Sequence, residues 1–135
     1  MRLITNKNPS LTCLQDNDKY TVNSTNGNGK LTYPVGLLSA DELAYAGAVD
    51  GTSNTSYYLY TNQKWWTLSS GNYRSGNVDV FVIYDTGALF SEVSTYYYNC
   101  DVSTFSYGIR PSVSLKLGTS FTSGNGTANS PYIVE

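Results

Sequence analysis

Val78-Asp79-Val80-Phe81-Val82-Ile83-Tyr84 is followed at once by Asp85-Thr86-Gly87 and then by Ala88-Leu89-Phe90-Ser91-Glu92-Val93. Val, Ile and Phe suit the pleated, half-buried surface of a strand. Asp, Thr and Gly are turn residues, and glycine reaches left-handed backbone angles at no steric cost. Residues 78–93 therefore predict a β-hairpin. The rest of the chain is organised around it.

Upstream, Tyr57-Tyr58-Leu59-Tyr60 and Trp65-Trp66-Thr67-Leu68 predict two short aromatic strands joined by Thr61-Asn62-Gln63-Lys64. Successive strand residues point to opposite faces, so the two tryptophans divide, one in the core and the other at its margin. Further upstream, Ser39-Ala40-Asp41-Glu42 is a capping box: Ser39 accepts from the first turn while Glu42 reaches back to the cap's own amide. Gly47 is placed to end the helix, which predicts one short helix over about 40–46. Leu31-Thr32-Tyr33-Pro34-Val35-Gly36-Leu37-Leu38 is an extended apolar segment, with Pro34 marking an edge strand or the entry into that helix. Asn26-Gly27-Asn28-Gly29 reads as a turn.

Downstream, the alternation from Ile109 to Leu117 puts Ile109, Val113, Leu115 and Leu117 on one face. Arg110, Ser112, Ser114 and Lys116 fall on the other. After a Ser/Gly/Asn-rich turn over 123–130, Pro131-Tyr132-Ile133-Val134 predicts a terminal strand. No internal repeat and no linker divides the chain, so residues 1–135 read as one α+β domain.

The composition is that of a recognition surface. The chain has 13 tyrosines, no histidine and only 13% charged residues, against about 25% in an average soluble domain. Ser, Thr, Asn, Gly and Tyr must meet the water instead, and Tyr offers large, rigid contact area at low entropic cost. A net charge of −2 with scattered Lys and Arg leaves no basic footprint for nucleic acid. No apolar run approaches a membrane span, so membrane contact by this domain is not expected. No signal peptide stands at the start. The lone methionine, Met1, fits either a complete chain or an excised ectodomain.

Cys13 and Cys100 are the only cysteines. In an extracellular chain they predict a disulfide, which would contribute on the order of 4 kcal/mol by closing so long a loop. The alternative is two unrelated free thiols. Two Cys without His do not make a typical zinc shell, so no metal and no cofactor are expected.

Four stretches carry a resemblance: residues 31–47, Trp65-Trp66-Thr67-Leu68-Ser69, residues 107–116 with Gly108-Ile109-Arg110-Pro111, and residues 124–133. Together they resemble a domain of surface and pilin-like proteins of gut Firmicutes. That domain is similar to the C-type lectin fold of formylglycine-generating enzymes and of the variable proteins of diversity-generating retroelements. The resemblance implies a small twisted antiparallel sheet, one short helix, long irregular loops, and paired N- and C-terminal strands. The partner of 131–134 would be Tyr20-Thr21-Val22 or Arg2-Leu3-Ile4-Thr5. It also implies that Arg110 is structural, tied to loop carbonyls, and it places the domain on a bacterial cell surface. The Glu-Pro-Asn, Gln-Pro-Asp and Trp-Asn-Asp tripeptides of calcium-dependent lectins do not occur, and Cys13 and Cys100 match no catalytic cysteine pair.

Without His, Ser-His and Cys-His catalysis is impossible. Asp41 and Glu42 are explained by the helix start. Asp79, Asp85 and Glu92 are the remaining carboxylates worth weighing, since a retaining glycosidase needs two about 5 Å apart, but nothing else supports an enzyme. Two irregular stretches flank the hairpin, 69–76 and 94–99, and loops on a rigid scaffold carry function disproportionately. Asn72, Tyr73 and Arg74 in the first and Tyr96, Tyr97, Tyr98 and Asn99 in the second are the expected ligand-binding residues. The expected function is non-enzymatic recognition of a protein or glycan at the cell surface, without calcium. The alternative is a pilin-like or surface-layer subunit whose aromatics pack against its neighbours.

Overall fold

The computed structural model describes residues 2–12, 35–74, 77–91, 105–113, 115, 118–127 and 129–134, with backbone alone for 72–74 and 77. In chain order the elements are β1 (Val35–Leu37), α1 (Ala40–Ala46), β2 (Trp65–Arg74), β3 (Asn77–Ile83), β4 (Leu89–Phe90), β5 (Pro111–Val113), β6 (Phe121–Ser123) and β7 (Ile133–Val134). The architecture is α+β, with one short helix and antiparallel sheets ordered β2-β3-β4, β1-β5 and β6-β7.

The central sheet is covered on both sides because apolar residues occupy both parities of its strands. Trp65 pairs with Ile83, and Ile83 with Leu89; Trp66 pairs with Val82, and Val82 with Phe90. Since side chains alternate along a strand, the first set joins Leu3, Ala40, Leu43, Ala48, Tyr57 and Phe81 in the main core. The second set forms a smaller cluster with Leu37, Val80, Tyr84, Phe105 and Tyr107. Trp65 is 1% exposed and Trp66 9%, so the pair divides as expected between the two faces, but both rings are buried, one in each cluster, rather than one in a core and one at its margin.

Helix α1 lies over the first face, with Ala40 and Leu43 fully buried. Its capping box is complete: Ser39 Oγ accepts from the Glu42 amide, and Glu42 Oε2 accepts from the Ser39 amide at 2.7 Å. The Ala40 amide donates to Ser69 Oγ at 2.9 Å, which fixes the helix start to β2. At the other end Gly47 adopts φ 118°, the left-handed cap. The N-terminal residues are clamped to the helix. Leu3 enters the core, Arg2 pairs with Asp41, the Ser10 amide donates to Asp41 Oδ1 at 2.6 Å, and Tyr45 Oη donates to the Pro9 carbonyl.

Of the hairpin expected over 78–93, the described part forms with short arms, as Val82↔Phe90 and Ile83↔Leu89; residues 92 and 93 lie outside the described ones. Its turn closes with the Gly87 amide donating to the Tyr84 carbonyl at 2.8 Å. Gly87 sits at φ 78°, and a Cβ there would lie 1.8 Å from the Asn54 carbonyl oxygen. Only glycine allows that approach. Asn54 is the junction of this corner, because its amide donates to Thr86, its Nδ2 to the Gly47 carbonyl, and its Oδ1 accepts from Ser56.

Four expectations are corrected. Residues 69–74 are not an irregular loop but the outer half of β2, which pairs with β3 to its tip as Asn72↔Asp79, Tyr73↔Val78 and Arg74↔Asn77. Two register shifts, between Trp66 and Ser70 and between Ser70 and Asn72, absorb extra residues on β2, as bulges do. This is why the stretch lacks a strand's alternation. Residues 57–60 are a turn rather than a strand, with the Tyr60 amide donating to the Tyr57 carbonyl. In the 109–117 segment β5 covers only three residues, and Ile109, Val113 and Leu115 face solvent while Arg110 is half-buried. The last strand does not pair with Arg2–Thr5, which form a turn; Ile133–Val134 pair with Phe121–Ser123. A local hairpin closes a shorter loop than a pairing across the whole chain, at lower entropic cost. Tyr20–Val22, the 26–29 turn, Cys13 and Cys100 lie outside the described residues.

Two outcomes are expected. Gly87→Ala should lower unfolding stability by about 3 kcal/mol. Gly51→Ala should lose about 1 kcal/mol, because Gly51 also has positive φ but open space around it; urea denaturation of both variants checks the difference. The hydrogen bond from Arg2, with help from the Ser10 amide, holds the Asp41 carboxyl below its ordinary pKa. A lowered folded-state pKa contributes stability that is present above the unfolded value of about 4 and is lost as pH falls through the folded one. Arg2 is half-exposed, so the contribution is at most about 1 kcal/mol. Asp41→Asn should destabilise by that amount at neutral pH and converge with the parent once pH has fallen through the lowered Asp41 pKa, as thermal melts across pH would show.

Candidate functional site

Arg110 holds the centre of the molecule together. Its Nη1 donates to the Leu59 carbonyl, and its guanidinium lies 4.8 Å from the centroid of the Trp65 ring. Next to it the Trp65 amide strand is paired through Gly108, whose amide donates to the Lys64 carbonyl at 3.0 Å while its carbonyl accepts from the Trp66 amide. A Cβ at Gly108 would press on the Lys64 carbonyl at 3.2 Å and touch Trp65. Arg110 is thus a positioning residue: it fastens the 57–60 turn and the Gly108 segment onto the same indole. Tyr57 lies in this core with its hydroxyl buried and without a hydrogen-bond partner among the described residues. Burial pushes its pKa up, with Arg110 pulling against the shift.

The residues expected to bind ligand are not gathered at this knot. Asn72, Tyr73 and Arg74 end β2, at the tip of its hairpin with β3. Their backbones are paired, and their side chains are outside the described ones. Tyr96, Tyr97, Tyr98 and Asn99 lie outside the described residues, as does Glu92. Asp79 is buried at the hairpin tip, and Asp85 is exposed in the turn at the other end of β3. Six residues at about 3.3 Å each separate them by roughly 20 Å, far too much for paired carboxylate chemistry. Among the described residues no three Cys, Asp or Glu side chains gather as metal ligands. A cavity of about 50 Å³ lies between the N-terminal turn and α1, lined by Leu3, Lys7, Ala44, Asp50 and Leu89 among others. Small-molecule sites run to about 300 Å³ and more, so this one has room for water only.

Large rings instead meet solvent on loops. Tyr58 is 81% exposed, yet its hydroxyl is tethered, donating to the Gly126 carbonyl at 3.0 Å. Across from it, Phe121 and Tyr132 stack with centroids 4.6 Å apart and remain 58% and 53% exposed. The loop between them is ordered by its own side chains: Asn125 Oδ1 accepts from the Thr127 amide and hydroxyl, and the Asn125 and Gly126 amides both donate to the Ser130 carbonyl. A Cβ on Gly126 would meet the Tyr132 ring at 2.7 Å, so the ring lies directly on that glycine. These three aromatics were not among the expected ligand residues. The available signal was composition, since residues 118–134 contain no charge while holding Phe121, Tyr132 and a Ser-, Asn- and Gly-rich loop.

The role of Arg110 is testable. Arg110→Ala should cost about 2 kcal/mol through the lost hydrogen bond and ring contact. Arg110→Lys should recover little, because an ammonium lacks the planar face that stacks on an indole. Denaturant unfolding, with the near-ultraviolet dichroism of the buried indole as a second readout, checks both.

The chain matches no protein-family model, and neither curated proteins nor solved structures include a match to it.

Proposed function

We propose that the chain is a non-enzymatic, extracellular ligand-recognition module of C-type-lectin-like fold, displayed on a bacterial surface or appendage. It binds a protein or glycan through Tyr-, Asn- and Ser-rich segments without calcium. The observation that carries this reading is the tethering of exposed rings. Tyr58 and Tyr45 stand in solvent while their hydroxyls are fixed to the backbone carbonyls of Gly126 and Pro9. Rings held in place in water are pre-organised, so little ordering cost remains when a ligand arrives. Such contact area is what paratope-like surfaces use.

Support for the fold comes from the short capped helix, the antiparallel central sheet and the attachment of Arg110 to a loop carbonyl. Support for a role outside the cell comes from the low charge and the Asn, Thr and Ser content. Among the described residues no helix is long and apolar enough to cross a membrane.

One observation favours a structural subunit instead. Val35 and Val113 are paired across the β1-β5 ribbon, and both are exposed, with Ile109 and Leu115 exposed nearby. A subunit packing through this ribbon would associate on its own. Sedimentation velocity should find a monomer at all accessible concentrations; concentration-dependent assembly that Val113→Lys abolishes would favour the subunit. For the recognition site at the hairpin tip and the following segment, Tyr73→Ala and Tyr97→Ala should each cost roughly 2 kcal/mol or more in binding with an unchanged melting temperature. Ligands for that measurement come from arrayed surface glycans and extracellular-matrix proteins.

A further inference from the structure

The hairpin formed by β6 and β7 has the wrong surface for a structural appendage. Every residue of its two strands is exposed. An isolated two-stranded hairpin is marginal in water, yet this one spends its large side chains on the outside. Phe121 and Tyr132 stack on each other, Tyr132 rests on Gly126, and Tyr58 reaches across from the 57–60 turn to the Gly126 carbonyl. Gly126 thus links the three rings across two separate segments: its carbonyl takes the Tyr58 hydroxyl, its backbone seats Tyr132, and Tyr132 stacks on Phe121.

The chemistry around these rings is uncharged. From Gly118 to Val134 the chain has no Lys, Arg, Asp or Glu. The polar groups at hand are hydroxyls and amides. Asn125 Oδ1 is engaged by Thr127, and its Nδ2 makes no hydrogen bond among the described residues. Ser123 and Asn129 are exposed beside it. The hairpin itself offers an anionic or cationic ligand no complementary charge.

We propose that Tyr58, Phe121 and Tyr132 form a binding platform for a neutral oligosaccharide, with Ser123, Asn125 and Asn129 supplying hydrogen bonds at its margin. A pyranose ring has an apolar face of C–H groups and a rim of hydroxyls. The face stacks on an exposed aromatic ring, whose surface is both apolar and electron-rich. The rim matches amide and hydroxyl groups that both donate and accept. The outer face of Phe121 and the exposed Tyr58 ring offer two places to stack, so a chain of several sugar units is favoured over a monosaccharide. None of this site's residues belongs to the β2-β3 hairpin tip. The site rests on the reading of the chain as a recognition module, and it narrows the ligand there from a protein or glycan to an uncharged glycan.

The test is ligand-observed saturation-transfer NMR on the full chain. The probes are neutral hexasaccharides (a β-1,4-glucan, a β-1,4-linked N-acetylglucosamine oligomer and a mannan), with a sialylated and a sulfated oligosaccharide beside them. At least one neutral hexasaccharide should bind, and the charged ones should bind no better. Tyr58→Ala and Phe121→Ala should each weaken that binding by about tenfold. Tyr58→Ala removes a ring that is almost wholly in solvent, so its melting temperature should stay at the parent's. Tyr73→Ala should leave glycan binding unchanged. Neutral-glycan binding that survives both platform variants, or falls only with Tyr73→Ala, would overturn this site while leaving the recognition reading intact. If no neutral glycan binds but a protein ligand does, the ligand class assigned here is wrong and recognition again stands. If no ligand binds and Phe121→Ala dissolves a dimer seen in sedimentation, the hairpin is a contact between copies and both readings fall.

Discussion

Burying adjacent tryptophans on one strand obliges the molecule to supply cover on both sides of its central sheet. Trp65 and Trp66 point opposite ways from β2, and β3 continues the demand with Phe81 and Ile83 on one face and Val82 on the other. On the first side the answer is α1, the N-terminal turn and Tyr57; on the second it is Leu37, Phe105 and Tyr107. Trp66 and Tyr107 lie 4.7 Å apart between centroids. Truncating a buried indole of this kind typically costs about 3–5 kcal/mol, which is a large part of a small protein's whole stability. The segments around the sheet are therefore held by what they cover more than by their own backbone pairing.

Much of that cover is irregular chain, and irregular chain needs partners for its backbone groups. Side chains supply them. Asn54 ties the end of α1 to the β3-β4 turn, Ser69 receives the first amide of the helix, Asp41 holds the N-terminal segment, and Arg110 binds the 57–60 turn. Each of these bridges elements far apart in the chain. Lys64 does similar work on the second side, with its ammonium 4.5 Å from the Tyr84 centroid. Among the described residues, Arg2, Lys7, Asp41, Lys64 and Arg110 each join separate parts of the chain.

The proposed recognition role rests on where three of the remaining described aromatics go. Once the two faces of the sheet are filled, Tyr58, Phe121 and Tyr132 have no core to enter, and they are fixed at the surface by a hydroxyl tether, a stack and a glycine seat. Fixing a ring without burying it gives up apolar burial that would otherwise favour folding. A bound partner would recover it.

Local chemistry was enough to read α1 with its capping box and glycine cap, the 78–93 hairpin with its Asp85-Thr86-Gly87 turn, and the opposite facing of the two tryptophans. Each depends on residues within a few positions of one another, so the signal is carried whole by the sequence. The extension of β2 to Arg74, the turn at 57–60 and the pairing of β7 with β6 were not legible in this way. Bulges hid the first by breaking alternation, and Tyr-rich composition imitated a strand in the second. Loop closure, which no single residue encodes, decided the third. The side of the Ile109–Leu115 alternation that meets water was also settled only in three dimensions, because Arg110 has its better partners inside, at Leu59 and Trp65. For the candidate site, the sequence determined that aromatic, uncharged loops exist. Which rings lie together was decided by a contact between Tyr58 and Gly126, 68 positions apart, because proximity across such a distance is a property of the packed chain alone.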